Sequence, residues 1–175
     1  EDPIMLQHDS VGVRDVERAA KFYDAILSGL GYRRMMEFLP YAVAYGDANP
    51  SFWVQRPHNQ QAPTVGNGVH ISFAAASQKG VHAFHEAALA AGGSDEGAPG
   101  PRPEYSENYY GGFVRDLDGN KLEAIFFAMP AKAAAKKSAK PKAKAKKAKP
   151  AKKAAPKRKA VAQKKVAAKK TSRKK

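Results

Sequence analysis

Two stretches of this chain follow one plan: VGVRDVERAAKFYDAIL from Val11 and ISFAAASQKGVHAFHEAAL from Ile71. In each, an alternating segment gives way to a capping residue and then to apolar residues spaced three or four apart, the marks of a strand followed by a helix. An internal repeat of this kind limits the fold more than any other feature. Each half is too small to bury both faces of its sheet alone, so the two must pack on each other.

The first half reads as a strand over Met5 to Arg14, with His8, Ser10 and Gly12 on one face and Val11 and Val13 on the other. Asp15 caps a helix that runs to about Leu30, with Val16, Ala19, Ala20, Tyr23, Ile26 and Leu27 on its apolar side. Three short strands follow, Tyr32 to Phe38, Tyr41 to Tyr45 and Ser51 to Arg56, separated by Pro40 and by Gly46 to Pro50. Arg56 to Gly68 lacks periodicity and reads as a loop. In the second half, Gly68 to Ala75 is a strand, and Ser77 caps a helix with Val81, Phe84, Ala88 and Leu89 on its apolar side, stopped at Gly92 and Gly93. Ser94 to Ser106, rich in Pro and Gly, is expected to be a loosely structured link with room for one short strand. Tyr109 to Phe127 then forms a hairpin around the turn DLDGN, in which Gly119 supplies a positive φ.

Charge divides the chain differently. Residues 1–130 hold ten Lys/Arg and all sixteen Asp/Glu, while 131–175 hold nineteen Lys, two Arg and no acid, so the net charge of +15 belongs to the tail. The body is mildly acidic and of a size common for one domain. Cysteine is absent, which excludes disulfides and thiolate chemistry, so a metal would need His, Asp or Glu. No apolar run approaches the roughly 20 residues that span a bilayer, and the chain reads as soluble and cytoplasmic.

The residue that calls for explanation is Glu123, which shares a strand face with Ile125 and Phe127. A buried carboxylate needs a partner, since leaving it unpaired costs roughly several kcal/mol. His8 and His70 fall at equivalent places on the first strand of each half, flanked by small residues that leave space. Two imidazoles and a carboxylate form a set that binds Mn, Fe, Ni, Co or Zn with coordination positions left open. His82 and His85, three apart on the second helix, read as a solvated flank.

These residues resemble the vicinal oxygen chelate superfamily, which includes glyoxalases, bleomycin resistance proteins, fosfomycin-resistance transferases and extradiol dioxygenases. The resemblance covers about Met5 to Phe127. It rests on His8, Asp15, Glu17, Arg18, Phe22 and Tyr23, on Gly68, His70, Ile71 and Phe73, and on FVRDLDGNKLE from Phe113 to Glu123. It implies an α+β fold of paired βαβββ modules, about 5–56 and 68–128, with a mixed sheet curled around a metal held by His8, His70 and Glu123. It further implies a lyase, transferase or dioxygenase acting on a small substrate with vicinal oxygens, in a homodimer. The alternative is a metal-free, ligand-sequestering protein or a nucleoid-associated DNA-binding protein whose folded domain is secondary. Tyr109 or Tyr110 would serve as catalytic hydrogen-bond donor, and Trp53 and Phe113 as substrate-binding walls. Matching NPSFW to GNKLE puts Trp53 where a fourth ligand would stand, which favours a three-ligand site. Asp9 stands where the family usually has an apolar residue.

Residues 131–175 are low-complexity Lys, Ala and Pro, resembling linker-histone tails, with almost nothing to bury. Such a segment is expected to be disordered alone and to bind nucleic acid or another polyanion by counterion release, without reading sequence. That would associate the chain with the nucleoid.

Overall fold

The computed structural model describes residues 5–128, and the tail lies outside the described residues. The elements are β1 (Asp9–Gly12), α1 (Val16–Ser28), β2 (Arg33–Phe38), β3 (Ala42–Gly46), β4 (Pro50–Gln55), β5 (Ile71–Ala74), α2 (Gln78–Ala90), β6 (Ser94–Pro101), β7 (Tyr109–Arg115) and β8 (Lys121–Phe127). They form two βαβββ modules, each with its own four-stranded mixed sheet, in the orders β1-β4-β3-β2 and β5-β8-β7-β6. The first strand of each module runs parallel to its last. The register repeats as well: Ser10 lies opposite Trp53, and Ser72 lies opposite Glu123. His8 and His70 each precede that serine by two residues, so both stand just ahead of their strands.

The helices form where the caps and spacing place them. Asp15 accepts a hydrogen bond from the Arg18 amide at 3.0 Å, and Ser77 accepts one from the Gly80 amide at 3.2 Å. α1 buries Val16, Ala19, Ala20, Phe22, Tyr23, Ile26 and Leu27, each large side chain among them stabilising the fold by about 1.5–3 kcal/mol. α2 buries Val81, Phe84, His85 and Ala88. His85 therefore corrects the expectation of a solvated flank. It is 8% exposed and its Nε2–H donates to Asp95 at 2.8 Å, whereas Leu89, expected inside, is exposed.

The stretch after α2 also departs from expectation. Ser94–Pro101 is a full strand despite Gly97, Pro99 and Gly100, because it lies at the edge of its sheet and pairs with β7 through two register shifts. Proline and glycine are tolerated at an edge, where one side of the strand needs no ladder.

The modules share one core, in which Phe52 of the first meets Phe73 of the second edge-on at 5.0 Å. The DLDGN turn fastens them further. Buried Asp116 accepts from the Tyr23 hydroxyl at 2.7 Å, from the amides of Asp118 and Asn120 at 2.9 and 2.8 Å, and from Asn120 Nδ2 at 2.8 Å. Asn120 Nδ2 also donates to the Gly12 carbonyl at 3.2 Å. Gly119 takes φ 93° at the apex, a conformation that side chains rarely adopt. The end of β8, and with it Glu123, is thus fixed against β1 and α1.

Candidate functional site

Alternation along β7 and β8 puts Tyr109, Gly111 and Phe113 on one face with Lys121 and Glu123, and turns Tyr110, Gly112 and Val114 toward α2. Glu123 is fully buried, with 0% exposure. The Tyr109 hydroxyl donates to its Oε1 at 2.6 Å, and His70 Nε2–H donates to its Oε2 at 3.2 Å. Both carboxylate oxygens are therefore satisfied. Burial raises the Tyr109 pKa above its ordinary value of 10, and the bond to Glu123 raises it further, so the phenol stays a proton donor at neutral pH.

Above this pair opens a cavity of about 620 Å³, walled by Phe113 and Tyr105 and rimmed by Arg102, Lys121 and Glu96. Phe113 meets the His70 ring edge-on at 6.1 Å. Glycine at position 111 makes this arrangement possible, since a Cβ there would stand 2.8 Å from Glu123 Oε1 and 3.1 Å from Tyr109 Cε1. Sequence reasoning did not single out Gly111, although paired glycines inside a strand signal a close approach. A second cavity, about 280 Å³, lies along the seam of the modules, with Asp9 as its charged group. It holds neither an imidazole nor a cation.

The expected site residues divide into two groups. His70, Glu123, Tyr109 and Phe113 come together. Tyr110 does not join them, because it faces α2 and shares a hydrogen bond of 2.8 Å with His82. His8 and Trp53 lie in the other module, their rings 6.5 Å apart, and Trp53 stacks on Phe38 at 6.3 Å. His8 is exposed and, among the described residues, bonded only to neighbouring Gln7. Among the described residues, no three His, Asp or Glu side chains converge within one chain.

The glyoxalase-like domain matches residues 6–125. A glyoxalase/bleomycin resistance protein from Albidiferax ferrireducens T118 is 38% identical, covering 70% of this chain and 98% of that one, with a TM-score of 0.64. The chain belongs to the glyoxalase-like family. Lower-identity structures show the same glyoxalase-like fold. They include a glyoxalase-related enzyme from Fulvimarina pelagi (21% identical, 72% of this chain and 88% of that one, TM-score 0.54). A lactoylglutathione lyase from Agrobacterium tumefaciens is 16% identical over 71% of this chain and 95% of that one, with a TM-score of 0.51. No curated protein matches the sequence.

Members of the glyoxalase superfamily often use divalent metals. Two donor atoms bound to one ion at about 2.1 Å stand roughly 3.0–3.4 Å apart for octahedral to tetrahedral angles. The 3.2 Å between His70 Nε2 and Glu123 Oε2 falls in this range. The chemistry of the pair fits a metal, while its number of donors falls one short of the three expected.

Proposed function

We propose that the Glu123 cavity is the active site of a metal-dependent enzyme, a lyase, transferase or dioxygenase acting on a small substrate with vicinal oxygens. The observation that supports this most is the His70–Glu123 pair, a carboxylate withdrawn from water with an imidazole at ligand-to-ligand distance. His70 and Glu123 would hold the ion, with His8 of a second copy as third ligand in a homodimer. His8 suits that role because it occupies the register position equivalent to His70 and is free of the core. Bound there, a divalent ion would act as a Lewis acid toward a substrate oxygen.

The chain's own residues have defined parts in this reading. Tyr109 holds the carboxylate in one rotamer through its 2.6 Å bond, the service that outer partners give metal ligands. Phe113 forms an apolar wall of the cavity beside His70. Trp53 would supply an apolar wall from the partner copy. To ligate, His70 must give up the Nε2 proton that it now donates to Glu123, so metal and proton compete for the same nitrogen.

A second reading, a metal-free binding protein, is favoured by the complete hydrogen bonding of Glu123 without an ion. Metal analysis of the purified full chain separates the two. The enzyme reading expects roughly one metal per site, lost in His8→Ala, His70→Ala and Glu123→Gln. It further expects partial recovery when His8→Ala and Glu123→Gln chains are co-expressed, because one mixed site then has all its ligands. A metal-free protein indifferent to all three changes overturns it.

For the tail we propose non-specific binding to nucleic acid, on the ground of its twenty-one cations and no acid. If about 8 phosphates are engaged, log K should fall with log salt at a slope of about −7. Equal DNA affinity for the full chain and for one ending at residue 130 would remove the tail from the function.

A further inference from the structure

The cavity over Glu123 is lined by two cations, Arg102 and Lys121, of which Arg102 has no acid partner among the described residues. Arg102 Nη2 donates to the Ala98 carbonyl at 2.8 Å and Nη1 to the Pro101 carbonyl at 3.3 Å, and no described acid pairs with it. Its guanidinium carbon stands 5.7 Å from the Phe113 ring centre, and Lys121 Nζ stands 5.0 Å from the same centre. Glu96, the carboxylate of the rim, is already taken. Arg115 grips it through Nη2 at 2.6 Å and Nε at 2.9 Å, which leaves Lys121 at 3.9 Å.

Arg102 and Lys121 line the cavity with Glu96 and Glu123, and because Arg115 grips Glu96 from outside the lining, the rim itself is left with more cation than anion. A guanidinium offers five N–H donors in a fork that matches a carboxylate. The two carbonyls fix the orientation of Arg102 and leave the rest of that fork unused. At the floor, the carboxylate of Glu123 repels any anion. A ligand would therefore be oriented with its charged end at Arg102 and Lys121 and its uncharged oxygen at the floor.

We propose that the cavity takes a small hydroxy carboxylic acid, its carboxylate on Arg102 and Lys121 and its hydroxyl at His70, Glu123 and Tyr109. This rests on the active-site reading above and narrows it from vicinal oxygens in general to one anionic class. The polarity comes from the chain itself, through one carboxylate at the floor and, at the rim, Arg102 without a described acid partner beside Lys121, which only shares Glu96 with Arg115.

The test is an NMR titration of the full chain with mandelate and with its neutral isostere mandelamide, followed at the amides of Gly97 and Gly111. Shifts there report the cavity, whereas anions collected by the Lys-rich tail move other resonances. Saturable shifts with mandelate and at least tenfold weaker binding of mandelamide are expected. Arg102→Met, which keeps the stem packed on Phe113, should weaken mandelate by about 10- to 100-fold, the worth of a charge-assisted bond. Its metal content should stay unchanged. Equal binding of acid and amide, an Arg102→Met affinity within twofold of the original, or no saturable shift with either compound overturns the proposal. The metal reading stands or falls separately on the His8, His70 and Glu123 variants.

Discussion

Replacing Tyr109 by Phe keeps the ring and removes a single oxygen, so the change reports on the bond from the phenol to Glu123. That bond is 2.6 Å long and ends on a carboxylate with no solvent exposure. Without it, one oxygen of the carboxylate has no donor. A hydrogen bond to a buried charge is worth about 1.5–3 kcal/mol. In a domain of this size each kcal/mol moves the melting midpoint by roughly 3–5 °C, so a drop of about 5–15 °C is expected. Thermal and urea unfolding of the full chain at pH 7, followed by circular dichroism with a chelator present, keeps metal loss out of the comparison. In a Glu123→Gln background the bond becomes a neutral one, and Tyr109→Phe should then cost about 0.5–1.5 kcal/mol. The difference is the share owed to charge. A cost below about 0.5 kcal/mol in the original background would mean the bond is not made in solution, and Tyr109 would lose its part in orienting Glu123.

Gly111→Ala places a methyl 2.8 Å from Glu123 Oε1, and should destabilise by about 1–3 kcal/mol through forced displacement of the pinned carboxylate. Combined with Tyr109→Phe it should be less than additive, which urea unfolding of the double variant checks. Asp116→Ala strips the Tyr23 hydroxyl and the DLDGN turn of their shared acceptor, and a loss of about 2–4 kcal/mol is expected in the same assay. Stability should fall above about pH 10. Tyr23, Tyr32, Tyr45 and Tyr109 all have pKa values raised above 10, chiefly by burial. In that range the unfolded chain loses phenolic protons that the folded chain retains, so unfolding is favoured as pH rises. On the acid side, the His85 hydrogen bond lowers the pKa of Asp95 and the Arg115 hydrogen bond lowers that of Glu96. Their contribution is present above the ordinary carboxylate range and disappears as pH falls below it. A flat stability profile from pH 3 to 12 would contradict both assignments.

Much of the fold was legible because it depends on local signals. Asp15 and Ser77 cap as their residue types predict, and the α1 spacing selects the face that is buried. What escaped was tertiary. His85 lies at the same three-and-four spacing as Val81, Phe84 and Ala88, but its polarity suggested water until Asp95 is seen within reach. β6 was hidden by its Gly and Pro content, because nothing local says that a segment is an edge, where those residues are tolerated. At the site, alternation put Glu123 on the correct strand and left Tyr109 and Tyr110 equivalent. Pairing chose between them, by setting Tyr109 over Glu123 and Tyr110 over α2.

The repeat carries the register from one module to the other and changes the side chains within it. Position by position, His8 and Trp53 in the first module correspond to His70 and Glu123 in the second. The first sheet thus presents an imidazole beside stacked aromatic rings, and the second an imidazole on a buried acid. Among the described residues neither face supplies three ligands, and on the proposed reading His8 of the first would be the donor that the second lacks. Two copies related by a two-fold axis would satisfy this twice over, since an isologous contact that brings His8 of one to Glu123 of the other also does the reverse. Trp53, standing where a fourth ligand would, costs such a pair no ligand it needs for three-coordination. It also avoids setting two buried carboxylates side by side, a repulsion that would raise the pKa of one of them. In such a pair, Trp53 standing where the other module has Glu123 would give the composite site one acidic side and one apolar side.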